Sequence, residues 1–235
     1  MTNAPGVALD ELAQRATRIA TRRHQRIALA GAPDETLFLI RKGLFLSRAA
    51  IPDSHRNILG ILYPGDIAHA LAIPALDRTE ITAASDSGEI WRLRGSDVQE
   101  LQEMDASLAR MITDRLAEKA ARLALHNAVI GSLTGDERVA ALMMELALRT
   151  GRHTPAGIEF EMPMSRTDIA DHLALNADTV SRIVSRMRSK GLISVSARNS
   201  LSCRSLDDLA RACPLADALA RTYGGARLDS SQTAP

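Results

Sequence analysis

The residues of this chain best suited to chemistry lie between Met164 and Ile193, MSRTDIADHLALNADTVSRIVSRMRSKGLI. Val180, Ile183, Val184 and Met187 recur at three- and four-residue spacing, which buries one side of a helix. The other side carries Asp178, Ser181, Arg182, Ser185 and Arg186. From Thr179 to Leu206 the charged residues are Arg182, Arg186, Arg188, Lys190, Arg198 and Arg204, with no Asp or Glu among them. The whole chain sets 29 Lys and Arg against 28 Asp and Glu. A cationic surface confined to one segment of a nearly neutral chain suits a polyanion such as the phosphate backbone of double-stranded DNA.

The neighbouring elements are arranged to present that surface. Ser165 and Asp168 form a Ser-x-x-Asp start signal, and Ile169, Ala170 and Leu173 put an apolar stripe on the short helix that follows. Asn176 is a good N-cap for the second helix and Gly191 a good residue just past its end. Two helices crossing over a short turn make a helix-turn-helix. Beyond it, "LISV" and "LSCR" flank Ala197 to Ser200 and read as a hairpin wing with Arg198, a phosphate contact, at its tip. Upstream, Thr134-x-x-Glu137 opens a helix over Asp136 to Arg149, whose Val139, Leu142, Met143, Leu146 and Ala147 supply a core. "GIEFEMPM" gives a short strand, Ser205-x-x-Asp208 caps a last helix to about Cys213, and the tail from Gly224 is expected to be disordered.

The amino-terminal half follows another pattern. Val7 to Thr21 reads as an amphipathic helix. Short β-like runs then cover Thr36–Ile40, Leu44–Arg48, Asn57–Tyr63, Glu80–Ala84 and Glu89–Leu93, separated by turn signals such as Lys42-Gly43 and Pro64-Gly65-Asp66. Closely spaced short strands imply a small sandwich or barrel. Asp97 to Ile130 lacks Pro and Gly and reads as one long helix. Ile112, Leu116, Ala120, Leu123, Asn127 and Ile130 form a narrow seam on it, as in a parallel coiled coil between two copies of the chain.

The carboxyl-terminal pattern, around MSR, DIAD and TVSR, resembles the DNA-binding domain of the CRP/FNR superfamily of bacterial transcription regulators, in its FNR/FixK form. The resemblance implies an α+β chain: a jelly-roll β-barrel of the cyclic-nucleotide-binding type (residues 1–97), a dimerisation helix (98–131), a winged helix-turn-helix (132–223) and a tail (224–235). "LFLIRKGLFLS" and "LGILYPGDI" resemble the jelly roll of the same superfamily. Position by position, the resemblance makes Asp178, Ser181 and Arg182 base-reading residues, with Arg182 bidentate to guanine. Ser165, Arg166, Thr167, Asn176 and Thr179 become backbone contacts, and Arg186 joins them through the cationic surface. The chain departs from the family at Asp178, where Glu is usual, at Ala174, where the turn usually has Gly, and at Ala177, which lacks the arginine of CRP itself. An FNR-type half-site (TTGAY-like) is therefore expected, read by a homodimer that also contacts RNA polymerase.

The resemblance also tests the effector. Cyclic-AMP-responsive relatives use a Glu after the Pro-Gly-Asp turn, and this chain has Ala70. Arg78-Thr79 matches the phosphate-binding pair, but the base-bonding positions on the long helix are Leu123 and Ala124, which form no such bonds. Cyclic AMP is not expected. The first 200 residues hold no cysteine, which excludes an FNR-type iron–sulfur cluster. Haem at His69, His24 or His126, or another small ligand in the barrel, is the alternative reading. Oxidation of Cys203 would disturb the wing, although an inert small side chain is the simpler account.

Composition bounds the rest. The 235 residues suffice for two domains, and 46% hydrophobic content with 3% aromatic makes the cores mostly aliphatic. No apolar run is long enough to span a membrane and no leader is evident, so a cytoplasmic protein is expected. Cys203 and Cys213 lack metal-ligand spacing. An enzyme or a pure interaction module that merely carries a DNA-binding tail is the remaining alternative; against the enzyme, the barrel shows no nucleophile–base pair, glycine-rich phosphate cradle or metal triad.

Overall fold

The computed structural model describes residues 5–29, 36–51, 55–69, 78–197 and 199–224, and the chain divides into two compact units, residues 1–120 and 121–235. In the first, a short helix α1 (Pro5–Arg15) leads into β1 (Thr17–Arg22) and β2 (Arg26–Ala28). The strands β3 (Leu37–Lys42), β4 (Phe45–Ile51), β5 (His55–Leu62), β6 (Ile67–His69), β7 (Arg78–Ala83) and β8 (Ser87–Leu93) follow. They form two four-stranded antiparallel sheets, ordered β1-β8-β3-β6 and β2-β7-β4-β5.

Side-chain alternation explains why β3 is apolar on both faces. Phe38 and Ile40 join Phe45, Leu62, Ile81 and Ile90 between the sheets, while Leu37 and Leu39 join Leu12, Trp91, Val98 and Leu101 beneath the helices. A strand covered on both sides reads as a continuous hydrophobic run. The Pro64-Gly65 signal is a type II turn: Gly65 has φ 89°, the Asp66 N–H donates to the Tyr63 carbonyl at 2.9 Å, and the Tyr63 N–H donates to Oδ2 of buried Asp66.

Three expectations for this unit need correction. The first helix stops at Arg15 rather than Thr21, because Thr17 to Arg22 pairs along β8 from Arg92 to Ser87, and this sheet pairing overrides local helix pattern. The helix expected over Asp97–Ile130 is two helices, α2 (Gly95–Met104) and α3 (Ala106–Ser132). Asp105 takes φ −136°, ψ 103°, and its Oδ1 accepts the Ser107 N–H at 2.8 Å, so it starts α3 as a cap would. Finally, Ile112 is not part of an open seam. It is 6% exposed in the core with Leu101 and Leu108, with Leu116 packed beside it.

The second unit begins within α3. On that stretch Leu123, Ala124 and Asn127 are exposed and Ile130 half-buried, while Val129 and Leu133 turn inward. Ala120, the last residue of the first unit, is exposed too. Helix α4 (Gly135–Thr150) carries the expected capping box of Thr134 and Glu137 and runs through the core of the unit. A sheet ordered β11-β12-β10-β9 is built from β9 (Arg152–Thr154), β10 (Gly157–Glu161), β11 (Ser194–Ala197) and β12 (Ser200–Cys203). Between its halves lie α5 (Arg166–Leu173) and α6 (Ala177–Ser189). The last expected helix is shorter, α7 (Leu206–Ala210), and another, α8 (Ala216–Gly224), follows and buries Leu219 and Tyr223. The expected tail disorder concerns residues 225–235, outside the described residues.

Candidate nucleic-acid interface

Both helices of the pair start on the caps their sequence supplies. Oγ of Ser165 accepts the Asp168 N–H at 3.0 Å, and Oδ2 of Asp168 accepts the Ser165 N–H at 3.0 Å. Oδ1 of Asn176 accepts the Thr179 N–H at 2.7 Å. The helix α5 ends at Ala174 in the left-handed region, φ 51° and ψ 50°, and the Leu175 N–H returns to the Ala170 carbonyl. The helix α6 ends on Gly191, φ 69°, where the missing side chain removes the usual penalty of that conformation.

Helix α6 is divided sharply. Val180, Ile183, Val184 and Met187 are buried, and Asp178, Ser181, Arg182 and Ser185 all face solvent. The structure thus brings the three expected base-reading residues onto one exposed face. The Ser181 hydroxyl donates to the Ala177 carbonyl at 2.9 Å, leaving its oxygen free to accept, and Nη2 of Arg182 lies 3.4 Å from the Thr179 hydroxyl. Ser165, Arg166 and Thr167 are exposed at the start of α5, Asn176 is exposed at the start of α6, and Thr179 is half-buried.

The two flanks of α6 differ in charge. On one, Arg186 is held by Asp136 at 2.8 Å. On the other, Arg188 lies close enough to Arg166 that desolvation and then the charge of Arg188 hold the Arg166 guanidinium below its usual pKa. Among the described residues, Arg182, Arg188 and Lys190 have no carboxylate partner, whereas Arg204 lies 3.9 Å from Asp208. Arg188 is exposed beside the expected backbone-contacting residues although it was not singled out from the sequence. Its signal was its place seven residues beyond Ser181 and three beyond Ser185, on the same helical face.

The hairpin beyond α6 forms the expected wing, with Arg198 outside the described residues. Cys203 is 3% exposed, and burial first, then Asp208, pushes its thiol up to about 11. A thiol that seldom ionises is a poor redox handle, which favours the inert reading. Of the effector positions, Ala70 lies outside the described residues, as do the side chains of Arg78 and His69. Thr79 is buried, and Leu123 and Ala124 are exposed on α3. Exposed His24 sits in a turn at φ 66°, and His126 stacks on His172 at 4.3 Å between ring centroids.

Comparison with known proteins agrees with this geometry. Residues 137–212 match the family described as Crp-like helix-turn-helix domain. The chain is similar to electron transport regulator A of Shewanella oneidensis, 25% identical over 194 residues, covering 81% of this chain and 75% of that one. It is 41% identical over 75 residues to the nitrogen fixation regulation protein FixK of Rhizobium meliloti, covering 32% of this chain and 34% of the relative. Its fold is that of FixK2 from Bradyrhizobium japonicum, with a TM-score of 0.71 at 24% identity over 84% of this chain and 97% of the other. Residues 137–212 thus carry a Crp-like helix-turn-helix domain, and over most of its length the chain is similar to bacterial regulators.

Proposed function

We propose that this regulator binds double-stranded DNA as a homodimer, reading an inverted repeat of FNR-type half-sites and contacting RNA polymerase in the cytoplasm. The observation that carries this reading is the face of α6: Asp178, Ser181, Arg182 and Ser185 exposed together above a fully buried opposite side. Side chains on such a face reach base edges in a major groove, while Arg166 and Arg188 beside them suit phosphates. The exposed stretch of α3 through Ala120, Leu123 and Asn127 supports pairing with a second copy.

We infer further that the protein acts without cyclic AMP, haem or an iron–sulfur cluster. Among the described residues, the side chains clustered between the two sheets are apolar, and Leu123 and Ala124 offer no hydrogen bonds to a base. The experiment is a binding titration against a duplex carrying two inverted TTGAY half-sites and against a scrambled duplex, each over a series of salt concentrations. The expected result is preference for the first and a steep loss of affinity with salt. Arg182→Ala should cost roughly 1–3 kcal/mol and relax the preference at one base pair. Equal binding of both duplexes rejects the reading.

A further inference from the structure

The carboxyl ends of α3 and α5 are held by one side chain in the second unit. The last carbonyls of any helix have no partner within it. Here the Leu133 carbonyl, one residue past α3, accepts from Nε of Arg138 at 2.9 Å. Nη1 of the same guanidinium donates to the carbonyl of Leu173, the last residue of α5, at 3.1 Å, and reaches that of Ala174 at 3.5 Å. A guanidinium presents its donors in a rigid fork, so these two helix ends are kept at a set separation. Its positive charge also meets the negative ends of both helix dipoles.

The surroundings tighten this arrangement. Gly135, at the start of α4, approaches α6 so closely that a Cβ there would lie 3.3 Å from Cδ1 of Ile183. His126 of α3 stacks on His172 of α5 and bonds to its backbone, so the two helices are tied a second time, about two turns earlier on α3 and beside Leu173 on α5. The half-buried Arg138 spends these donors on backbone carbonyls at helix ends.

We propose that Arg138 is a positioning residue for DNA recognition: it fixes the end of α3 against the turn that launches α6, and so sets the angle at which α6 meets a duplex without touching DNA itself. This rests on the reading of the chain as a DNA-binding homodimer. The ends that Arg138 joins belong to the helix expected to pair two copies and to the helix pair expected to enter the groove. Lysine carries the same charge on a single amine, which cannot fork between Leu133 and Leu173.

The test uses the full chain with Arg138→Gln and Arg138→Lys, titrated by fluorescence anisotropy against the inverted-repeat and scrambled duplexes, with far-ultraviolet dichroism to read the folded fraction. Wild type is measured first. If it does not distinguish the duplexes, the DNA-recognition reading falls, and this proposal with it. If it does, Arg138→Gln should lower affinity for the inverted repeat about ten- to a hundredfold, and for the scrambled duplex less than about threefold. Arg138→Lys should lie between. The slope of affinity against salt should stay unchanged, because no phosphate contact is lost. Equal losses on both duplexes, in step with the folded fraction, would mean a merely structural role and overturn the proposal. So would unchanged specific affinity, or a salt slope reduced by about one, which would place Arg138 on a phosphate. Should Arg138→Gln fail to fold, Arg138→Lys decides by the same measures.

Discussion

Asp136 and Arg186 form an ion pair across 50 residues of sequence, with Nη2 of the arginine 2.8 Å from both carboxylate oxygens. The acid opens α4 and the arginine lies on a flank of α6, so a cation that the sequence offered to phosphate is already neutralised. Their side chains are 58% and 49% exposed, which limits the pair's contribution to stability to about 0–1 kcal/mol. On the proposed DNA-binding reading, phosphate and Asp136 would compete for one guanidinium. Asp136→Asn is expected to release Arg186 to the duplex and steepen the salt dependence by about one phosphate contact, with little change in melting temperature. Arg186→Ala alone should leave the slope nearly unaltered, and added to Asp136→Asn it should remove the gained contact. A slope that drops with Arg186→Ala alone would show that DNA breaks the pair unaided.

The turn between α5 and α6 is strained by its own residue. Ala174 is exposed and occupies φ 51°, ψ 50°, a region where a Cβ crowds the backbone. Because the residue is exposed and has little packing to lose, Ala174→Gly should relieve that strain and raise stability by about 1 kcal/mol, less the extra entropy of glycine in the unfolded chain. A urea titration should show a higher midpoint at unchanged slope. A lower midpoint would mean the backbone accommodates alanine there without penalty.

Much of this second unit could be read from residues whose effects are local. Ser165, Asn176, Thr134 and Gly191 act within three or four positions of themselves, so their caps and ends stood in the sequence and recur in the structure. The face of α6 was equally legible from its period. Long-range effects were not. The pairing of β1 with β8 hid a strand inside an amphipathic pattern, and the Asp136–Arg186 and Arg138–Leu173 contacts depend on how α4 lies against α5 and α6. The helix α8 had a signal that went unused, Leu215, Leu219 and Tyr223 at four-residue spacing. The break at Asp105 lacked a Pro or Gly to mark it, and only an Asp two residues before a serine announced the cap.

The imidazole of His126 should make the second unit sensitive to acid. It stacks on buried His172 and lies among Leu142, Glu145 and Tyr223, with Arg122 and Arg149 also acting on Tyr223. Burial holds its pKa below the ordinary 6.5, and its bond to the His172 backbone only partly offsets that. The unfolded chain therefore binds the proton more readily than the folded one. The stability owed to the neutral ring is fully present above pH 6.5 and is lost as pH falls below it toward the folded value. Melting temperatures taken from pH 8 down to pH 5 should fall more steeply for the wild type than for His126→Gln. Parallel curves would show that this histidine titrates alike in both states.

The residues grouped from sequence as one seam on α3 should separate into two kinds when substituted. Ile112 is 6% exposed within the core beneath the first sheet, whereas Leu123 is 43% exposed. Ile112→Ala leaves a cavity among Leu101, Leu108 and Trp91, and should destabilise the amino-terminal unit by about 2–5 kcal/mol without altering how copies associate. Leu123 is already 43% exposed in the isolated chain, so Leu123→Glu should move the melting behaviour of a monomer less than Ile112→Ala does. A charge repeated across a two-fold pairing of α3 would oppose itself, which should shift sedimentation equilibrium toward the monomer and abolish preference for the inverted repeat. If Leu123→Glu sediments as wild type does, the two copies meet elsewhere, and the exposed stretch of α3 needs another explanation.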